Sequence, residues 1–143
     1  MHERVCALLG WPGRYDEFRR VWASAFEPDP QVLSLVDAVR RNHRTGLLTD
    51  NPPVLREALQ HELGEVGRRF DLFVFSCELG ATKPAPELFQ SALGRIGRRP
   101  EEVIFIDDVR ENVAAAAALG IAAVPFTTAD ALAADLLRLN VLP

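Results

Sequence analysis

The sequence predicts an α/β protein in which a Rossmann-like parallel sheet is flanked by helices and preceded by a helical segment. From residue 45 onward, short apolar runs alternate with stretches of helical period, a pattern typical of right-handed βαβ crossovers. Polar side chains follow three of these runs, and the carboxyl ends of parallel strands share one edge of a sheet. The chain has 143 residues, 48% of them hydrophobic, which suits a single domain with a sizeable core.

The first 28 residues are expected to be mainly helical. Val5 to Leu9 is an apolar run that fits either a helix or a strand, and residues 10–13 end it. Apolar side chains then recur at i, i+3, i+4 and i+7, which predicts an amphipathic helix over residues 14–25. They are Phe18, Val21, Trp22 and Ala25. A second helix should begin with Asp29 as N-cap and Pro30 at its first position.

Two strands and their helices are predicted next. Gly46 to Thr49 is a short apolar strand, and the two prolines after it allow a helix to start, which we expect to continue to Leu63. Residues 72–76 form the next strand. The loop that follows contains Lys83 and leads into an amphipathic helix that includes Ile96.

The apolar run from Val103 to Ile106 stops abruptly on Asp107 and Asp108. The run predicts a strand buried on both faces. One interpretation of the acids is a polar turn in which Asp108 starts the next helix. The other is a pair of oxygen ligands for a hard cation at the carboxyl end of a central strand.

The end of the chain continues the alternation. An alanine-rich helix is predicted over residues 113–119, with Gly120 as its left-handed stop. Residues 122–126 should form an outer strand and residues 129–139 a final helix. Thr49, Lys83 and the acid pair would then meet at one edge of the sheet, a set that suits a phosphate held near a magnesium ion.

Three stretches resemble motifs of the haloacid dehalogenase-like (HAD) hydrolase superfamily, whose members are mostly phosphatases. Residues 46–51 are similar to its second motif, residues 80–89 to its third, and residues 103–120 to its fourth. Their order and the intervening helices agree from about residue 27 to residue 126. The resemblance implies a HAD-like core at residues 29–143 and a cap-like helical segment at residues 1–28, in a single domain overall.

The resemblance also implies roles at a phosphate site. Thr49 and Lys83 would be the catalytic residues present, Thr49 binding a phosphoryl oxygen and Lys83 steadying the nucleophile and the phosphate. Asp50 and Asn51 would complete the phosphate-binding loop. A carboxylate is less favourable than a neutral amide beside an anion, and Asp50 fits equally well into the N-cap region of the next helix.

By the same resemblance the cofactor is Mg²⁺. Asp108 would be its direct ligand, and Asp107 would share the metal site. Asn112 would support the site from outside the coordination sphere.

The first motif of the family, two aspartates on the first strand, is absent. The aspartates before residue 45 are Asp16, Asp29 and Asp37, all predicted on helices or caps, and an alignment of residues 5–9 with that strand leaves Gly10 and Pro12 at the catalytic positions. We therefore predict a phosphatase-type, Mg²⁺-dependent hydrolase by descent that is truncated and inactive for lack of a nucleophile. The alternative is a non-catalytic module that binds phosphate and Mg²⁺ or a partner.

Without that strand the sheet would have a central gap of about 10 Å. Three arrangements would avoid this gap. Val5 to Leu9 could fill it, the strands ending at Thr49 and Asp108 could pair directly, or another chain could donate a strand. We favour the first two.

Composition restricts the partners. The formal charge of −4 argues against general nucleic-acid binding, which needs a basic surface. The first residues do not resemble a signal peptide or transit sequence, the sequence has no apolar run of about 20 residues, and its two cysteines form no CxxC pair. We therefore expect a cytoplasmic protein that does not bind membranes. The expected ligand is a small phosphorylated molecule, and an incomplete sheet makes a homo-oligomer one expectation.

Overall fold

A computed structural model describes residues 13–143 and confirms the α/β class. The prediction for residues 5–9 lies outside these residues. The elements are, in order, α1 (Tyr15–Ala23), α2 (Pro30–Val39), β1 (Gly46–Thr49), α3 (Val54–Ala58), α4 (Gly64–Gly67), β2 (Leu72–Phe75), a 3-10 turn (Ser76–Glu78), α5 (Pro86–Ile96), a 3-10 turn (Pro100–Glu102), β3 (Ile104–Asp107), α6 (Arg110–Ala118), β4 (Ala122–Pro125) and α7 (Ala129–Arg138). None of the described helices has the length and apolar character needed to span a membrane.

The four described strands form two parallel pairs. β1 pairs with β2, with Thr49 opposite Phe75, and β3 pairs with β4, with Asp107 opposite Pro125. No ladder joins β1 to β3 within residues 13–143, so direct pairing of these two strands, one of the three alternatives for the central gap, is wrong. The pairs are joined by side-chain packing, because Leu48 of β1 and Phe105 of β3 contact the same apolar cluster.

This shared cluster lies under helices α5 and α6. Its buried members are Phe89, Leu93, Ala116 and Ile121. The rings of Phe89 and Phe105 meet edge to face, with centroids 5.1 Å apart, an arrangement that adds stability beyond the burial of apolar area. Because the cluster holds both strand pairs, it sets where the ends of β1 and β3 lie relative to each other.

Two further clusters attach the first two helices. Trp22 of α1 packs against Leu55, Leu59 and Phe75, and the Arg19 guanidinium binds Glu62 through both carboxylate oxygens. The second cluster joins α2 to α7, and its members include Leu35, Val39, Leu132 and Leu136. The domain boundary after residue 28 stays a prediction.

The predicted start of α2 and the predicted end of α6, which depend on a few neighbouring residues, are confirmed. Asp29 caps α2 by accepting hydrogen bonds from the N–H groups of Gln31 and Val32, with Pro30 at the first helical position. Gly120 follows α6 with a φ of 84°, a conformation that favours glycine.

Predictions that depended on tertiary contacts are partly wrong. Ile106 is 39% exposed and Val21 57% exposed, so β3 is not buried on both faces and α1 presents a narrower apolar face than its period predicts. α3 ends at Ala58 and does not reach Leu63, because the Leu63 N–H donates to the Ala58 carbonyl at 2.7 Å and turns the chain.

Candidate functional site

Thr49 ends β1 with a buried hydroxyl group. Its Oγ1 accepts hydrogen bonds from the backbone N–H of Asn51 at 3.1 Å and from the Asn51 side-chain amide at 3.0 Å. Thr49 is 6% exposed, and no described residue accepts the hydrogen of its own O–H group. Since buried polar groups are normally paired, this free donor is available to an oxygen atom of a ligand.

Asp50 follows Thr49 and is exposed. Its Oδ1 accepts a hydrogen bond of 3.3 Å from the backbone N–H of Lys83. The N-cap of α3 is Pro53, without a side-chain hydrogen bond, so the N-cap interpretation of Asp50 is wrong. The carboxylate instead connects the end of β1 to the loop before α5.

Lys83 and Asp107 form an ion pair that is largely buried. The Lys83 Nζ lies 2.7 Å from Asp107 Oδ2, and the two side chains are 14% and 7% exposed. The other oxygen of Asp107 accepts hydrogen bonds from the Val109 N–H at 2.9 Å and from the Asn112 amide at 3.0 Å. Asn112 is itself buried on α6. Both oxygens of Asp107 are therefore occupied by protein donors.

The ionisation of Asp107 follows from these contacts. Burial raises the pKa of its carboxyl group, but the hydrogen bonds from Lys83, Val109 and Asn112 outweigh burial, and the net result is a pKa below the ordinary value. Asp107 is thus a carboxylate at neutral pH.

Asp108 lies beside this pair and is exposed. It makes no hydrogen bond or ion pair within residues 13–143. α6 begins at Arg110 with Val109 as N-cap, so the interpretation in which Asp108 starts the helix is wrong. The bond to the N–H of Val109 comes from Asp107, and this leaves both oxygens of Asp108 free.

The carboxylate oxygens at this site are of the type that binds magnesium, but the described residues do not form a complete metal site. Among the described residues no group of three or more His, Cys, Asp or Glu side chains converges, and Asp107 is occupied by its protein donors. Asp108 is the remaining free carboxylate at the end of β3. Magnesium is commonly held by one or two carboxylates together with phosphate oxygens and water, so the residues fit an ion that is shared with a phosphate group.

The sequence prediction did not identify two residues of this region. Ser76 is 2% exposed at the end of β2, and its hydroxyl has no partner in the described part of the chain; its position directly after an apolar strand, like that of Thr49, was the available signal. Glu78 forms ion pairs with Arg56 and with Arg95. It anchors the base of the loop that contains Lys83, and sequence alone gives no signal for such pairs.

The structure brings together the ends of β1 and β3 and the loop before α5. Asp50 contacts Lys83, and Lys83 contacts Asp107.

A family model for haloacid dehalogenase-like hydrolases matches residues 7–120. The match covers most of the chain, which therefore belongs to the HAD-like hydrolase family, as its three motifs predicted.

The curated relatives agree with this assignment, and solved structures share the fold. A D-ribitol-5-phosphate phosphatase from Bacteroides thetaiotaomicron is 31% identical over 112 residues, which cover 74% of this chain and 54% of that protein. A predicted HAD-like hydrolase from Porphyromonas gingivalis has a TM-score of 0.75 at 24% identity and covers 96% of this chain and 70% of its own. A HAD family enzyme from B. thetaiotaomicron, in complex with magnesium and inorganic phosphate, has a TM-score of 0.71 at 23% identity and covers 88% of this chain and 67% of its own.

The chain spans about half or less of the length of the curated relatives that it matches. Both solved structures are less than 25% identical to this chain, so they show only that the fold is shared.

Proposed function

We propose that this chain binds a small phosphorylated molecule together with Mg²⁺ at the ends of β1 and β3, and that it does not hydrolyse phosphomonoesters as it stands. The observation that supports this most directly is the hydroxyl group of Thr49, which is buried and donates its hydrogen to no described residue. Thr49 ends β1, and the next residue, Asp50, contacts Lys83. A phosphate oxygen is a suitable acceptor for that donor.

Each residue then has a physical role. Thr49 donates to a phosphate oxygen, and Asn51 orients the Thr49 hydroxyl through two hydrogen bonds. Lys83 contributes positive charge and is itself oriented by Asp107. Asp108 holds the magnesium ion, which when bound neutralises phosphate charge. Asn112 keeps Asp107 in place.

The proposed lack of turnover follows from the acids present. A covalent mechanism of the family's kind needs an aspartate on the first strand to attack phosphorus. Both oxygens of Asp107 are hydrogen-bonded to the protein, and Asp108, at the end of β3, is assigned to the metal. Residues 1–12 contain a single acid, Glu3, and Gly10 and Pro12 carry no carboxylate. The name of the phosphatase relative, which specifies a phosphorylated sugar alcohol, supports a small phosphorylated ligand.

Two measurements test the proposal. With p-nitrophenyl phosphate and MgCl₂ we expect no hydrolysis above background. With inorganic phosphate and MgCl₂ together we expect a rise in the melting temperature that is lost in Thr49→Val and Asp108→Asn. Thr127→Val, a change of the same type at an exposed threonine after β4, should keep the rise.

Magnesium-dependent turnover that Asp108→Asn abolishes would show that the chain has a nucleophile and is an active hydrolase. The absence of any stabilisation by phosphate and magnesium would mean that the pocket no longer binds its ligand.

A further inference from the structure

Asp50 differs from the other predicted phosphate-binding residues because its charge opposes that of a phosphate. It is exposed at the end of β1, and its Oδ1 accepts the hydrogen bond from the backbone N–H of Lys83 at 3.3 Å. The side chain is therefore tied to the loop that contains Lys83.

The positive charge of Lys83 does not neutralise Asp50. Its ammonium group is bound to Asp107 at 2.7 Å, while Asp50 and Asp108 form no ion pair with any residue from 13 to 143. Arg110 follows Asp108 closely in sequence, but it is exposed and likewise unpaired within the described chain. The site thus presents two carboxylates without a contacting cation.

This arrangement disfavours a phosphate dianion and favours a divalent cation. A phosphate oxygen that accepts the hydrogen of the Thr49 hydroxyl would bind beside Asp50, which is the next residue in the chain and carries a negative charge. A unit charge about 4 Å away in water changes an affinity by a factor of about five, and by more where water is excluded. The same charge attracts Mg²⁺ by a comparable factor.

We infer that Asp50 determines ligand specificity by making phosphate binding at this site conditional on a divalent cation. The inference rests on the proposed function, since it concerns the same pocket. Asp50→Asn tests it cleanly, because asparagine keeps an oxygen that accepts from the Lys83 N–H but removes the negative charge.

The experiment titrates the full chain with inorganic phosphate, with and without MgCl₂, and separately with MgCl₂ alone. Backbone amide chemical shifts of Thr49 and Lys83 report binding. For the wild type we expect phosphate to bind at least about tenfold more weakly without magnesium. In Asp50→Asn, phosphate affinity without magnesium should rise about fivefold and magnesium affinity should fall.

Two variants separate a local charge effect from other causes. Asp50→Glu retains the charge and should keep the dependence on magnesium. Glu101→Gln removes one negative charge at the opposite end of β3, where Glu101 pairs with Arg99, and should behave as the wild type. An unchanged melting temperature of ligand-free Asp50→Asn verifies that its fold is intact.

The outcomes distinguish the two proposals. If the wild type binds phosphate with magnesium but Asp50→Asn has the same magnesium dependence, the inference is overturned and the proposed function stands. Equal phosphate affinity of the wild type with and without magnesium also overturns it. If neither phosphate nor magnesium shifts any signal under any condition, the proposed function fails and the inference fails with it.

Discussion

At the scale of single residues, Asp107 holds the parts of the candidate site together, and neither of its oxygens is left free to bind a metal ion. It accepts from an ammonium group, a backbone N–H and a side-chain amide, contributed by a loop, the end of β3 and α6. Removing one partner of a buried ion pair leaves the other charge uncompensated, and this costs more than the pair itself contributes.

We predict that Asp107→Asn lowers the free energy of unfolding at pH 7 by about 3 kcal/mol. The pKa of Asp107 is lowered in the folded state, so its stabilising contribution is present above its ordinary pKa of about 4 and is lost as the pH falls through the folded value. The difference between wild type and variant should therefore shrink from pH 7 to about pH 3, measured by urea unfolding.

Asp108→Asn is the control for this experiment, because Asp108 is exposed and makes no hydrogen bond or ion pair within residues 13–143. It should change the free energy of unfolding by less than about 0.5 kcal/mol. A difference between wild type and Asp107→Asn that stays constant with pH would contradict the role assigned to the ionised carboxylate.

At the scale of elements, the turn between α3 and α4 depends on a close approach of backbone to backbone. A Cβ atom added at Gly67 would lie 2.2 Å from the carbonyl oxygen of Leu59, a distance that backbone atoms cannot tolerate. The short α4 can therefore lie against the end of α3 only if residue 67 is glycine. Leu59 belongs to the cluster that also holds Trp22, so a shift of α4 would disturb the packing of α1.

We predict that Gly67→Ala lowers the free energy of unfolding by about 1–3 kcal/mol, the range for overpacked sites. Gly94→Ala is the matched control. Gly94 is exposed on α5 with nothing within 4 Å of an added Cβ, so alanine there should stabilise the helix by about 0.5–1 kcal/mol. Thermal unfolding of both variants measures the difference, and equal effects at the two glycines would refute the close-approach explanation.

At the scale of the whole molecule, the described strand pairs are united by apolar packing. Leu48 and Phe105 come from different pairs and contact the same cluster around Phe89. If packing couples the pairs, they should unfold together.

We predict a single cooperative transition. In a Trp11→Phe background, which leaves Trp22 as the sole tryptophan, the urea midpoints from Trp22 fluorescence and from far-UV circular dichroism should coincide. Phe89→Ala should lower both midpoints together by removing about 3–5 kcal/mol of stability. A shift in the dichroism midpoint alone would show that the two halves unfold independently.

Most of the fold was predictable from the sequence because helix caps and apolar runs depend on residues that are close together in the chain. The cap of Asp29 and Pro30 and the left-handed position of Gly120 depend on a few neighbouring residues, and the apolar runs at residues 46–49 and 103–106 mark strands through their own pattern. Thr49 and the acid pair were likewise selected as candidates because they are polar residues at the ends of apolar runs, and Lys83 because it lies in the loop before a helix.

Only the tertiary structure decided which of these groups are free. The local pattern alone does not distinguish Asp107 from Asp108, and only the family resemblance assigned the direct metal contact to Asp108. In the structure, three protein donors from separate elements occupy Asp107 and leave Asp108 exposed. The contact of Asp50 with Lys83 was equally beyond local patterns. The physical reason is that hydrogen bonds and packing between residues distant in sequence depend on three-dimensional position, whereas strand and helix signals depend on neighbours along the chain.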